Sequence, residues 1–332
     1  MARVCAWQDQ IVQSEDALVG DGVSAATNGM IAIRGGAFVM GSEEFYPEEL
    51  PVRSVWVEDF WIDACPVTVG EFRRFVDATG YVTVAERPLD PAVYPGADPA
   101  VLVPGSAVFC ATEGPVPLDS MVWWRYVAGA CWYAPEGPGS DVCGREEHPV
   151  TQVAYEDAEA YARWVGKVLP TESEWERAAR GGLDGTRFAW GEEENPDGRW
   201  MANIWQGRFP WENLVLDGFA GTSPVGSFAP NGFGLYDMIG NVWEWTCERG
   251  GPGLMQSGVS SPCCAPAGQT PVSPDATRII KGGSHLCAPN YCLRYRPSAR
   301  QAQAVDTSTS HIGMRCVIRD SVPRPDVGNG CR

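Results

Sequence analysis

Cys287 and Cys292 stand five positions apart in KGGSHLCAPNYCLRYR, residues 281–296, behind a Gly-Gly pair and ahead of Arg294, Tyr295 and Arg296. Thiols are soft metal ligands and readily oxidised side chains. Two this close can form a disulfide, cycle as a redox pair, or hold a soft ion together. Two unrelated buried cysteines would show the same spacing. Zinc calls for four ligands, usually from recurring C-x2–4-C pairs, and no second pair stands near a matching histidine. Two thiolates alone suit Cu(I), a soft ion that tolerates low coordination.

Other chemistry is less well signalled. The histidines are His148, His285 and His311, too few and too scattered for a His-based zinc, haem or facial-triad iron site, so each reads as structural. Asp and Glu total 42, which supplies acid–base groups without singling one out. There is no G-x-S-x-G elbow and no Cys-His protease signature. Phe233-Gly234 lacks the dinucleotide spacing, and Gly166-Lys167 is not followed by Ser or Thr.

The net charge of −17 excludes nucleic acid and an anionic membrane surface as natural partners, since both need a basic face. It suits a cationic peptide, or simple solubility. No apolar h-region opens the chain, no stretch approaches the ~18 apolar residues of a membrane span, and no Asn has Ser or Thr two positions on. A cytoplasmic protein with reduced thiols is expected. Most of the 12 cysteines then read as small buried hydrophobes, with Cys263-Cys264 structural in a Pro-rich loop.

The elements that must position the pair are partly legible. Residues 1–28 read as a tail, 29–320 as one domain and 321–332 as a second tail. MIAIRGGAFVM reads as a hairpin about Arg-Gly-Gly, and residues 52–64 supply further strand. Three helices are expected. One follows Thr68, boxed by Glu71 and stopped by Gly80; a second spans about 156–165; a third starts at Thr171, boxed by Glu174, and ends at Gly181. Residues 85–147 are rich in Pro and Gly without a period, and read as an insertion packed on the surface. Short strands and turns fill 184–316, with Trp243 and Trp245 on one face of VWEWT.

GGSHLCAPNYCLRYRPSAR resembles the active-site signature of the formylglycine-generating enzymes, the sulfatase-modifying oxidases. GGAFVMGS (35–42), PVTVGEFRRFV (66–76), LPTESEWERAARGG (169–182), MANIWQGRFP (201–210), NGFGLYDMIGNVWEWT (231–246) and HIGMRC (311–316) resemble further family blocks in the same order. The resemblance implies an α+β fold: a single irregular domain with low regular secondary structure, related to the C-type lectin-like fold. It implies a copper-dependent oxidase that converts the cysteine of a C-x-P-x-R motif, in an unfolded sulfatase polypeptide, to Cα-formylglycine with O2 and a thiol reductant. Cys287 and Cys292 would hold Cu(I), with the substrate thiolate joining as a third sulfur. Ser284, Tyr291 and Trp243 would line the pocket, Trp243 as packing or more.

The resemblance also implies structural calcium. One set would be Asn203, Ile204, Asp217 and Phe219, with Ile204 and Phe219 giving carbonyls; the other would be Asp237, Gly240, Val242 and Glu244. On their own, Asp and Asn beside Gly read as turns. Secretory relatives carry two disulfides, and three of the four partner positions fall here on Ala162, Ala179 and Pro297, leaving Cys316 as a core thiol. An acidic side chain near the groove would meet the substrate arginine, and the 85–147 segment would wall that groove. Two other readings are an iron-dependent sulfoxide synthase of the same superfamily, which needs a His-rich site, and a calcium-stapled lectin-like binding module, which has no need of paired thiols.

Overall fold

Local signals set the helices. In a computed structural model, which describes residues 27–92, 95–96, 98, 102–250 and 277–319, Thr68 accepts the Glu71 N–H at 3.2 Å while the Glu71 carboxylate accepts the Thr68 N–H at 2.9 Å. Two of the donors that a helix start leaves unmet are thus satisfied. Helix α1, Val69–Thr79, follows, and Gly80 ends it with φ 67°, where a side chain would be strained. The same device, Thr171 with Glu174, starts the third helix, Glu172–Arg180, which Gly181 ends. Between them lies Tyr155–Trp164, whose Ala154 N–H is held by the Asp157 carboxylate at 2.8 Å. These are α2 (Tyr155–Trp164) and α3 (Glu172–Arg180), as expected.

The strands are short: β1 Met30–Ile33, β2 Gly36–Met40, β3 Arg53–Val57, β4 Phe60–Asp63, β5 Gly105–Phe109, β6 Trp124–Ala128, β7 Trp243–Arg249, β8 Thr277–Lys281, β9 Arg300–Ala304, β10 Ile312–Gly313 and β11 Val317–Ile318. They form a sheet ordered β1-β4-β11, a second ordered β10-β7-β8-β9, and the pairs β2-β3 and β5-β6. Among the described residues only the β10-β7 ladder is parallel. The architecture is therefore mixed α and β with much irregular chain.

The expected hairpin about Arg34-Gly35-Gly36 does not form. β1 pairs with β4 and β2 pairs with β3, so the two strands join different sheets. Gly35 lies too close for pairing: its N–H donates to Asp59 Oδ1 at 2.7 Å, and a Cβ there would come 2.5 Å from the Val57 carbonyl. Chain that would have turned back instead passes beneath the β3–β4 turn. The 85–147 stretch is also more regular than expected, carrying the β5-β6 pair. Four of the five β5 residues are buried, so no alternation marks it.

One large core joins the helices to both larger sheets and includes Trp175, Trp243, Trp245, Cys287, Cys292 and Tyr295. A smaller aromatic core, with Met121, Trp123, Trp205, Phe209 and Leu286, sits under the β5-β6 pair. The thiol segment lies where the two meet, since Tyr291 packs on both. Cys263-Cys264, residues 1–26 of the expected first tail (1–28) and all of the expected second tail (321–332) lie outside the described residues.

Candidate active site

The thiol pair is built by a compact irregular turn after β8. Gly282 (φ 95°) and Gly283 (φ 72°) take backbone conformations closed to most residues. A Cβ on Gly283 would stand 2.8 Å from the Arg294 carbonyl and 2.9 Å from the Tyr295 Cα, so the two ends of the segment touch backbone to backbone. The Cys287 N–H donates to the Ser284 carbonyl at 2.9 Å and the Cys292 N–H to the Ala288 carbonyl at 2.8 Å. These turns fold Cys292 back onto Cys287, leaving the sulfurs 3.3 Å apart. A disulfide would need about 2.05 Å. The thiols are 1% and 0% exposed, and the Ser284 N–H points at the Cys287 sulfur from 3.5 Å. Two soft donors at this spacing fit a shared soft monovalent ion.

The neighbouring side chains come from five distant segments. Ser284 Oγ lies 3.0 Å from His311 Nδ1, and the Trp243 N–H donates to the His311 carbonyl at 2.9 Å. Trp243 is fully buried at the start of β7. Tyr291 stacks on Phe209 with 4.4 Å between ring centres and meets the edge of Trp123 at 5.4 Å. On another side the Tyr46 hydroxyl accepts the Leu293 N–H at 3.2 Å, under the Arg294 guanidinium 3.9 Å from its ring. Burial, and then the charge of a Cys292 thiolate, push the Tyr46 hydroxyl up to about 12, so it stays protonated at neutral pH.

The segment is anchored by buried charge. Arg296 donates to both oxygens of Glu49, one at 2.8 Å, and Arg294 pairs with Glu48. In β8, Lys281 meets Glu176 at 2.9 Å. The histidines all have partners. His148 faces Thr222, His285 meets the Asn241 carbonyl at 2.8 Å and is pushed down to about 4 by burial, and His311 meets Ser284. Sequence reading had His311 as structural; Tyr46, Glu49, Trp123 and Phe209 it did not single out. Only the HIGMRC block hinted at His311.

The two oxygen-rich sets differ in their fit to a hard cation. Asn203 Oδ1 is buried with no hydrogen-bond partner among the described residues, while its amide donates to the Gly221 carbonyl at 2.9 Å. Asp217 reaches the same peptide, accepting the Ile204 N–H at 3.1 Å, and also accepts the Phe219 N–H at 3.0 Å. Burial pushes the Asp217 carboxyl up, so a cation beside it would relieve both groups. Asn203, Asp217 and the Phe219 carbonyl fit calcium, while the Ile204 carbonyl already accepts the Gln206 side-chain amide and would have to be shared with it. In the second set, Glu244 is committed elsewhere: Arg315 grips both its oxygens, at 2.7 and 2.8 Å, and the Trp175 indole donates to it at 2.7 Å. A cation there would rest on Asp237 and on the backbone of Gly240 and Val242. Cys316 is a fully buried thiol raised well above its ordinary value by burial, with Ala162 and Ala179 in the same core.

Residues 16–320 match the family described as the sulfatase-modifying factor enzyme 1-like domain. A Mycobacterium tuberculosis protein named formylglycine-generating enzyme is 57% identical over 290 residues, which cover 87% of this chain and 97% of that one. Its namesake from Streptomyces coelicolor is 46% identical over 295 residues, 88% of this chain and 89% of that one. Among solved structures, PvdO from Pseudomonas aeruginosa superimposes with a TM-score of 0.57 at 24% identity, covering 87% of this chain and 93% of that one, a likeness of fold alone. A match over nearly the whole chain, with the thiol segment folded into one buried turn, makes this protein a member of the formylglycine-generating, sulfatase-modifying factor family.

Proposed function

We propose that this protein is a copper-dependent oxidase that converts the cysteine of a C-x-P-x-R motif in unfolded sulfatase chains to Cα-formylglycine. The observation that carries the reading is the buried Cys287–Cys292 pair, with sulfurs 3.3 Å apart and not joined as a disulfide. Cu(I) held between these sulfurs would supply the electron-rich centre at which O2 is reduced.

The electron count fixes the co-reactants. Loss of two electrons and two protons, one from the thiol and one from Cβ, turns the substrate thiol into a thioaldehyde, and water then replaces sulfur to give the aldehyde and hydrogen sulfide. Full reduction of O2 to water takes four electrons, so two more come from a thiol reductant, which leaves as a disulfide. The residues of this chain bind and orient. Ser284 turns its N–H toward the Cys287 sulfur and its hydroxyl toward His311, while Tyr291 is set by stacking on Phe209. Tyr46 and Tyr295 keep theirs protonated by burial and add no competing anionic ligand. The dry surroundings keep bulk water from the centre.

A peptide groove has a natural course. A cleft of about 430 Å³ runs beside the site segment, lined by Phe109, Trp132, Arg145, His148, His285 and Leu286. Phe109 ends β5, and Trp123, just before β6, packs on Tyr291, which supports the 85–147 segment as a groove wall. Calcium at Asn203 and Asp217 would brace the 201–219 stretch, whose Trp205 N–H donates to the Cys287 carbonyl at 3.0 Å.

The test is direct. Copper-loaded protein is incubated in air with a C-x-P-x-R peptide and a thiol reductant, and the peptide is weighed by mass spectrometry. An aldehyde in place of the cysteine is expected, and its formation should stop without O2. An unchanged peptide under all copper loadings would end the proposal.

A further inference from the structure

We infer that His311 is a positioning residue that fixes the Ser284 hydroxyl as a hydrogen-bond donor beside the thiol pair. The inference deepens the proposed reaction at this site and rests on that reading for its catalytic meaning. It starts from two neighbouring facts. His311 Nδ1 lies 3.0 Å from Ser284 Oγ, and His311 Nε2 is buried with no hydrogen-bond partner among the described residues.

A neutral imidazole has one N–H and one bare nitrogen. His311 is 1% exposed, and the ring lies 4.8 Å from Trp124. If the proton sat on Nε2, a donor would be buried against that ring, which is at best a weak acceptor. Buried N–H groups without an acceptor are rarer and costlier than under-used acceptors. The proton therefore belongs on Nδ1, where Ser284 Oγ receives it. Burial keeps the ring neutral, which agrees with this assignment.

The consequence falls on Ser284. Its Oγ also receives the Leu286 N–H, at 3.2 Å. A hydroxyl has two acceptor sites and one proton. With both acceptor sites filled, the O–H can act only as a donor. Ser284 itself is fully buried, and its own N–H already points at the Cys287 sulfur. The hydroxyl proton is thus turned away from the ring and left for an anionic group that forms within its reach in the site, a preset donor of the kind that stabilises developing anions without reorganising. The opposite tautomer would make Ser284 donate to the ring and remove that proton from the site.

The tautomer is read by nitrogen NMR on copper-free protein carrying labelled histidine. The three histidines are assigned with His148→Gln and His311→Asn. The expected spectrum puts the His311 proton on Nδ1 with Nε2 bare; a proton on Nε2, or on both nitrogens, overturns the inference. Kinetics give the second readout. Ser284→Ala and His311→Ala should each lower kcat about 10- to 100-fold, the loss of one hydrogen bond to charge. His311→Asn, whose amide N–H can reach Oγ, should recover most of that loss. His311→Ala should add little in a Ser284→Ala background, because the two act as one unit. Additive losses, or an Asn variant no better than Ala, overturn it. Wild-type protein that yields no aldehyde would remove the reaction, while the tautomer spectrum would still decide the assignment.

Discussion

Replacing Glu49 by Ala should cost about 3–5 kcal/mol, far more than its place in a surface-lying loop suggests. Glu49 is 1% exposed and Arg296 is 0% exposed. The guanidinium is held at 2.7 Å by the Leu293 carbonyl, at 2.9 Å by Ser298 Oγ and by both Glu49 oxygens, under the Phe45 ring at 3.5 Å. Ser298 Oγ also donates to Glu49 at 2.9 Å. Truncation would leave a buried cation with neutral partners only, and the desolvation already suffered by Arg296 would go unanswered. Domains of this kind have only about 5–15 kcal/mol to lose. Glu49→Gln keeps shape and one acceptor, so its loss should be nearer 1.5–3 kcal/mol, the range of a hydrogen bond to charge. Glu49→Met with Arg296→Met removes both charges and should be close to neutral. Urea unfolding of all three, at unchanged m-value, measures this series. A Glu49→Ala loss under about 1 kcal/mol, the scale of an exposed pair, would refute the reasoning. A second readout ties the clamp to the site: Cys287 and Cys292 should be alkylated faster in Glu49→Ala than in wild type at a temperature where both are folded.

Three further outcomes are expected. Cys287→Ser and Cys292→Ser should each abolish peptide turnover and sharply weaken Cu(I) binding in a chelator competition; wild-type turnover from either one contradicts the shared-ion reading. Calcium removal should lower the thermal midpoint more than it lowers initial rates, and Asn203→Ala should make the midpoint insensitive to calcium. A ligand at 100 times its Kd adds about 2.7 kcal/mol to the folded state, so the shift is readable by scanning calorimetry. Asp157, 0% exposed in the first turn of α2, is pushed up from 3.8 to about 6 because burial outweighs its donors. A raised carboxyl stabilises the fold fully below its unfolded value and loses that contribution as pH rises through the folded one. Stability of wild type relative to Asp157→Asn should therefore fall by about 2 kcal/mol between pH 4 and pH 7, most of what roughly two pK units imply; a flat difference by denaturant melts would show that the donors prevail.

What could be read from sequence was local. Thr68 with Glu71, and Thr171 with Glu174, are short-range devices whose atoms meet within one turn, and the helices start where they say. The alternation in MIAIRGGAFVM holds in β2, which buries Phe38 and Met40, but not in β1, which buries Met30 and Ile33; and alternation gives the face of a strand and not its partner. Pairing β1 with β2, or with β4, satisfies the same pattern, and the close approach of Gly35 to Val57 decided between them. β5 escaped notice because a strand buried on both faces has no period. At the site, Cys287 and Cys292 were legible because the chain brings them together by itself. Glu49 was not, since it meets Arg296 across 247 positions, and among 42 acidic residues nothing marks it. His311 was visible only as part of a block, because its role depends on which nitrogen faces Ser284.

The way the thiol segment is held argues about its purpose. A loop that only needed to be stable would be better anchored by apolar side chains, since buried ion pairs often give less than hydrophobic replacements of the same size. Here Lys281, Arg294 and Arg296, at both ends of the segment, are each 2% exposed or less and each meets a glutamate. Ion pairs of fixed geometry specify direction and distance, whereas apolar contacts tolerate sliding. The backbone contact of Gly283 with Tyr295 removes the remaining slack. The quantity this rigidity protects is the 3.3 Å gap between the sulfurs, longer than a bond and shorter than independence. On the proposed reaction, a site that stays open to a third sulfur would need that gap kept against collapse into a disulfide, which oxidation in air would otherwise favour. Loosening any one clamp should therefore first appear as easier Cys287–Cys292 disulfide formation in air, before any loss of helix content, and a clamp variant that melts without forming the bond would separate stability from this geometric role.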